Sequence, residues 1–327
     1  MDREEQTVQR IKKALAIVGS TASGKSALAL SAAEHFSGEI ISVDSMQIYK
    51  SMDIGTAKPS SEELARVKHH MIDICPPHTA MSSADFAEMA LSAAEDAEKR
   101  GKLPIFCGGT GLYLDAIMRG GAPEETAADE KIRESLMEFA KNEGAHALHE
   151  RLREVDCESA EKIHENNVKR VARALEVYLV SGKPKSLWDR ESLMCQKAVE
   201  PFCVCLSYHS RERLYERIDR RVDEMIENGL VEETKRLLDM GVFKSNFTAA
   251  AAIGYKELLP YVRGDVTLEI AAEELKRATR RYAKRQITWF GAKDFVHHLM
   301  CDTEDGEMKP FDEIFEEFCR MAKENGF

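Results

Sequence analysis

The sequence has no run of about 18 consecutive apolar residues, so no transmembrane helix is expected. Its start, MDREEQTVQRIKK, is charged and lacks the apolar core of a secretory signal, which points to the cytoplasm. Its eight cysteines are scattered with no CxxC spacing, and its ten histidines form no HExxH pattern. Zinc ligation needs clustered ligands at turn spacing, so these cysteines read as buried free thiols rather than as a metal site. Internal repeats and low-complexity tracts are absent. An excess of positive charge is also missing: 46 Lys and Arg face 57 Asp and Glu, for a net charge of −11. Taken alone, that balance disfavours a polyanionic partner. The distribution qualifies it, because KRATRRYAKR (276–285) carries six positive charges and no acid, while the tail beyond Asp302 is acidic.

What is present alternates. ALAIVGS (14–20), GEIISVDS (38–45), LPIFCGG (103–109) and PFCVCLSYH (201–209) are short apolar runs that read as buried strands. KSALALSAAEHF (25–36) and ADFAEMALSAAEDAEKRG (84–101) between them have helical character. Strands of this kind alternating with helices predict an α/β fold, a parallel sheet covered by helices on both faces. The pattern then becomes helical. DEKIRESLMEFAKNEG, AHALHERLREVD and NVKRVARALEVYLVSG are amphipathic, and a helical insertion is placed at 121–199 between core segments 1–120 and 200–327. GKPKSLWDRES reads as a polar return linker. Ser210 is the expected N-cap of the helix beginning RERLYERIDRR, and further helices follow at 230–240 and 267–290.

Several stretches carry chemistry. GSTASGKS (19–26) follows a strand and opens a helix, with the spacing of a loop that cradles phosphate in its backbone N–H groups. Lys25 can neutralise bridging oxygens and Ser26 can offer a hydroxyl to Mg²⁺. The usual occupant of such a loop is a nucleoside triphosphate such as ATP. Asp44 and GGTGLY (108–113) fall at the carboxyl ends of strands, where ligands of doubly wound sheets gather. A carboxylate there serves as metal ligand, as general base or as a turn cap. Arg217 and Arg221, four apart, share a helix face and suit a diphosphate, although interleaved acids also fit a solvated ion-pair face. RATRRYAKRQITWF (277–290) joins cations to aromatics, as in RNA recognition, or is a basic surface helix with its aromatics in the core.

Together, GSTASGKS, ISVDSMQIYKSMDIGTAKPS, HHMIDI, GGTGLYLDAI, AIGYKEL and ATRRYAKRQITWF closely resemble the bacterial tRNA dimethylallyltransferases, or isopentenyl-tRNA transferases, over about residues 12–300. The resemblance implies a P-loop kinase-like core with a helical insertion. The implied reaction moves the dimethylallyl group of dimethylallyl diphosphate to N6 of the adenosine on the 3′ side of the anticodon, in tRNAs reading codons that begin with U. It implies Mg²⁺ as cofactor, the tRNA anticodon stem-loop as partner and a monomer with no membrane partner. A small-molecule kinase and a free-adenylate isopentenyltransferase share the loop; DIGTAKP, KRQITWF and the long insertion set this chain apart from them.

Site residues carried over from the resemblance are as follows. Gly19, Ser20, Thr21, Ala22, Ser23, Gly24, Lys25 and Ser26 would hold the diphosphate, with Ser26 also on Mg²⁺ and Arg217 a further candidate. Asp44 would be the general base, Arg221 would reach the diphosphate, and Thr110 would guide the adenosine. The tRNA would touch Asp44, Ser45, Met46, Gln47 and Thr110; Arg133, Asn166, Asn167, Val168, Lys169 and Arg170 of the insertion; and Lys256, Lys284, Arg285, Gln286 and Trp289. The chain departs from the family pattern with Ser20 where Pro is usual, Ala251 where Gln or Arg is common, and Gly291 where a basic residue can follow TWF.

Overall fold

In the computed structural model, residues 10–120, 129–194 and 197–327 are described. Six parallel strands form one sheet in the order β3-β2-β4-β1-β5-β6, with β1 Leu15–Gly19, β2 Gly38–Val43, β3 His69–His70, β4 Leu103–Gly108, β5 Phe202–Ser207 and β6 Val296–Met300. All five residues of β1 are buried, as a central parallel strand requires when helices cover both faces. Side chains alternate across the sheet. Leu15 and Ile17 join Ile105 and Val204 beneath the helix Lys25–His35, which buries Leu28, Ala29, Ala32 and Ala33. Ala16, Val18, Ile41 and Phe106 face the other way, toward Phe86 and Leu91 of the helix Ser83–Lys99 and toward Phe290.

Residues 10–120 and 198–327 make one compact unit, and residues 129–194 belong to another. The second unit is helical, built from Glu130–Glu143, Ala145–Val155, Cys157–Lys162, Val168–Ser181 and Lys185–Met194, and its core gathers Leu136, Leu148, Leu152, Val171 and Leu175. The stretch expected as a return linker is the last of these helices. Gly182 closes the preceding helix in a left-handed conformation at φ 71°. Pro184 then stands just before the new helix, where a missing N–H costs nothing. Lys185 pairs with Asp189 one turn on, and the Ser186 N–H donates to the Asp156 carboxylate.

Several further elements were not anticipated, β3 and the short helix Ser61–Arg66 among them. VHHLM (296–300) forms the edge strand β6, and the acidic tail ends in the helix Phe311–Glu324, which lays Ile314 and Phe318 on the sheet. Among the described cysteines, Cys75, Cys107, Cys203, Cys205 and Cys301 are buried thiols, whereas Cys157 is exposed at the start of its helix and Cys319 is half-buried. Cys195 lies outside the described residues. Among the described residues, no helix is long and apolar enough to cross a membrane.

Candidate active site

Three loops converge at the carboxyl ends of β1, β2 and β4. The first, 19–26, bends back so that Lys25 Nζ donates to the Ser20 carbonyl at 3.1 Å. The helix that begins at Lys25 has no intrahelical acceptors for its first N–H groups, which leaves them for an anion. The second loop follows β2. Asp44 Oδ1 accepts the Met46 N–H at 2.8 Å, so the carboxylate also caps its own turn. The third follows β4, and it is laced to the second: the Thr110 N–H donates to the Val43 carbonyl at 3.3 Å, and Thr110 Oγ1 accepts the Ser45 N–H at 3.3 Å.

A cavity of about 300 Å³ opens where they meet, lined among others by Thr21, Lys25, Ser26, Asp44, Gln47 and Arg221. Its far wall mixes Met225, Ile253, Leu275 and Tyr282 with Lys256 and Arg285. A second cavity of about 380 Å³ lies along the other side of the first loop, between Ala22, Gly24 and the arginines 217, 220 and 221. Lys25, Ser26 and Arg221 border both.

The charges are unbalanced toward the positive. Burial pushes the Lys25 ammonium below its ordinary value, and Arg221 adds to that while Asp44 pulls it back. Burial likewise lowers Arg221, against the pull of Asp44 and Glu224. Arg217 Nε is anchored on the Ala22 carbonyl at 2.9 Å, which sets its guanidinium beside the loop. The first cavity sets Lys25, Arg221, Lys256 and Arg285 against Asp44 and Glu63, and the second sets Lys25, Arg217, Arg220 and Arg221 against Glu224, an excess of cations that favours an incoming anion with several oxygens. Burial also raises the Tyr282 hydroxyl to about 12, with Asp44 adding to the effect, so it stays a neutral donor.

The helix Leu268–Gly291 seals this end of the sheet. Gln286 is 5 % exposed. Its Oε1 accepts the Thr21 N–H at 2.8 Å and its Nε2 donates to the Gly109 carbonyl at 2.9 Å. The glycines opposite are dictated by this approach. A Cβ on Gly109 would fall 2.1 Å from Gln286 Nε2, and one on Gly111 would fall 2.2 Å from the Trp289 ring. Lys284 and Arg285 are exposed on the same helix, and Arg285 also lines the cavity. Ala251 and Lys256 are exposed at the cavity, and Gly291 is exposed at the end of the helix.

The remaining expected residues lie in the helical unit. Asn166, Asn167, Lys169 and Arg170 are exposed and Val168 is half-buried. The Arg133 guanidinium is held by the buried Glu176 carboxylate at 3.1 Å. Sequence reasoning missed Glu233, which is 1 % exposed. Its carboxylate accepts the N–H groups of Asp53, Ile54 and Gly55, each at 3.0 Å, and so fixes the loop that forms the cavity wall at Gly55, Thr56 and Ala57. Its signal was masked because a Glu within an amphipathic LVEETKRLL helix reads as a solvated residue. Among the described residues, no group of three or more His, Cys, Asp or Glu could hold a metal by itself.

Comparison with known proteins agrees with this architecture. The model of the IPP transferase family matches residues 47–293. A tRNA dimethylallyltransferase of Caldanaerobacter subterraneus subsp. tengcongensis is 46% identical over 301 residues, which is 92% of this chain and 94% of that protein. The tRNA dimethylallyltransferase of Geobacillus thermodenitrificans is 48% identical over 279 residues, 85% and 87% of the two chains. Among solved structures, the full-length tRNA isopentenylpyrophosphate transferase of Bacillus halodurans superposes with a TM-score of 0.68 at 40% identity, covering 95% of each chain. A eukaryotic dimethylallyltransferase described as acting on tRNA gives 0.74 at 31% identity, over 88% of this chain and 74% of that one.

Proposed function

The chain belongs to the IPP transferase family, and from that premise we propose how its own residues carry out the reaction. It is an enzyme, a tRNA dimethylallyltransferase. The donor is dimethylallyl diphosphate and the acceptor is N6 of the adenosine 3′-adjacent to the anticodon, in tRNAs reading codons that begin with U. The observation that carries this reading is the single cavity wall shared by the phosphate-type loop and Asp44.

The donor diphosphate sits on the N–H groups at 24–26, with Lys25, Arg217 and Arg221 around its oxygens. The allylic C1–O bond breaks and its electron pair leaves with the diphosphate. The lone pair of N6 forms the new C–N bond, and the proton released from N6 passes to the Asp44 carboxylate. Donors fixed around the leaving oxygens stabilise charge where it develops. A neutral exocyclic amine is a weak nucleophile, so its placement beside C1 contributes much of the rate. Thr110, hydrogen-bonded to the Asp44 loop, guides the base, which must leave the anticodon-loop stack to enter the cavity.

Mg²⁺ fits this donor set. It takes few protein ligands together with substrate phosphate oxygens, and Ser26 offers one hydroxyl beside the diphosphate position. When bound, the ion would add positive charge to the leaving group.

The RNA reaches beyond the cavity in this reading. Ser45, Met46 and Gln47 border the base, Lys256, Lys284 and Arg285 meet phosphates, and the exposed residues Asn166, Asn167, Lys169 and Arg170 of the helical unit, with Val168 and Arg133, contact the stem-loop. The test is transfer from labelled dimethylallyl diphosphate to an unmodified tRNA with an adenosine-rich anticodon loop. Label on that one adenosine is expected. Label on free AMP and none on tRNA would overturn the reading.

A further inference from the structure

The helix Leu268–Gly291 has an exposed face and a buried one. Lys284 and Arg285 are exposed, and the next residue, Gln286, is buried. Both ends of its amide are spent, one on the Thr21 N–H of the phosphate-type loop and the other on the Gly109 carbonyl of the loop that carries Thr110. Neighbours on the same face reinforce the docking. Ala283 packs with Ala22, Leu214 and Ile218, and Trp289 closes on Gly111.

We propose that Gln286 is a positioning residue for the donor diphosphate rather than a contact to RNA. Its amide is the strut that holds the loop 19–26 and the loop 108–111 at one spacing. The physical reason lies in what Thr21 does. Its N–H is tied to Gln286, which pins the loop just ahead of the N–H groups at 24–26 that would meet an anion. Release of Thr21 lets the loop relax. Oriented donors lose much of their effect on a charged group when their geometry slackens by as little as about 0.5 Å. A neutral amide suits the place uniquely well, since one end accepts and the other donates. A carboxylate there would face the Gly109 carbonyl and add negative charge beside the cradle. Lysine and arginine have no acceptor for Thr21.

The proposal rests on the assignment of the loop 19–26 as the diphosphate cradle, and its test reads binding rather than turnover. Inorganic diphosphate with Mg²⁺ is titrated into wild type, Gln286→Met and Gln286→Glu by calorimetry, and tRNA affinity is measured by filter binding. Diphosphate binding should weaken at least about tenfold in Gln286→Met, the equivalent of roughly one buried hydrogen bond, and further in Gln286→Glu. The tRNA affinity of Gln286→Met should stay close to that of wild type. Weakened tRNA binding with unchanged diphosphate binding, or no change in either, overturns the proposal.

A second route does not depend on those variants folding well. Gly109→Ala drives a methyl into the Gln286 amide, and Gln286→Ala removes that clash, leaving the methyl 3.2 Å from the Gly19 carbonyl. Gly109→Ala should therefore weaken diphosphate binding less in the Gln286→Ala background than in wild type, and equal losses in the two backgrounds would refute the strut. Wild-type protein that binds diphosphate but leaves tRNA unlabelled would overturn the functional reading while the Gln286 comparison still stands.

Discussion

Tyr255 donates its hydroxyl to Glu233 Oε1 at 2.7 Å, and both side chains are almost fully buried. The pair joins the segment after Ala251 to the helix Leu230–Asp239, and through the three N–H groups held by Glu233 it reaches the 53–57 loop. Burial and Glu233 both raise the Tyr255 hydroxyl, which therefore remains a donor at every working pH. A buried carboxylate with four donors is stable only while they all remain. Glu233→Ala leaves several N–H groups buried without acceptors, and a loss of about 3 kcal/mol or more in unfolding free energy is expected. Tyr255→Phe should cost about 1–3 kcal/mol. Urea melts of both variants check this, and a Glu233→Ala protein as stable as wild type would contradict it.

Asp44 has two duties that one substitution can separate. Its Oδ1 caps the Met46 N–H, so truncation to alanine disturbs the turn as well as the chemistry. Asparagine keeps an acceptor for that cap and cannot take the proton from N6. Asp44→Asn should therefore lower the transfer rate by about 10²–10⁴, the span of a general base, with tRNA affinity nearly unchanged. Single-turnover rates beside filter binding measure both. Wild-type turnover in this variant would remove Asp44 from the base role.

The places where sequence reading succeeded and failed have physical causes. Strands β1, β2, β4 and β5 were legible because a central parallel strand must be apolar on both faces. Strand β6 was not, because at the sheet edge His297 and His298 are exposed and break the apolar run. The phosphate-type loop was legible from spacing alone. Its neighbours were not, since Gln286 and Glu233 are polar residues on amphipathic helices and only the packing reveals that they are buried. GGTGLY was expected where ligands gather, yet the space beside Gly109 and Gly111 is taken by Gln286 and Trp289. The linker expected before β5 is helical because paired charges at i and i+4 support a polar helix as well as a polar loop.

Acid stability should depend on Glu39, which is not among the residues that line the cavity. Burial would raise this carboxyl, but hydrogen bonds from Arg100 and His70, with the charges of Arg100 and Lys68, outweigh it and hold it at about 2. A depressed carboxyl contributes its full stability above its unfolded value, near 4.5, and loses it as the pH falls toward 2. Arg100 and Lys68 are half in water, so the contribution is discounted to about 1–2 kcal/mol. Thermal melts between pH 6 and pH 2 should fall more steeply for wild type than for Glu39→Gln. Parallel curves would show that Glu39 is not the titrating group.

The basic helix divides into a spent half and an available half. Lys276 pairs with Asp223, Arg277 with Glu274 and Arg280 with Asp219. Among the described residues no ion pair forms at Lys284 or Arg285, and both are exposed. Cations already matched by carboxylates release few counterions when RNA binds, whereas free ones release more. Lys284→Ala with Arg285→Ala should weaken tRNA binding and flatten the plot of log K against log salt by roughly 0.7 for each lost phosphate contact. Arg277→Ala should leave that slope nearly as it is. Binding measured across a salt series distinguishes the two halves, and an equal slope change from both would mean that the ion pairs open when tRNA binds.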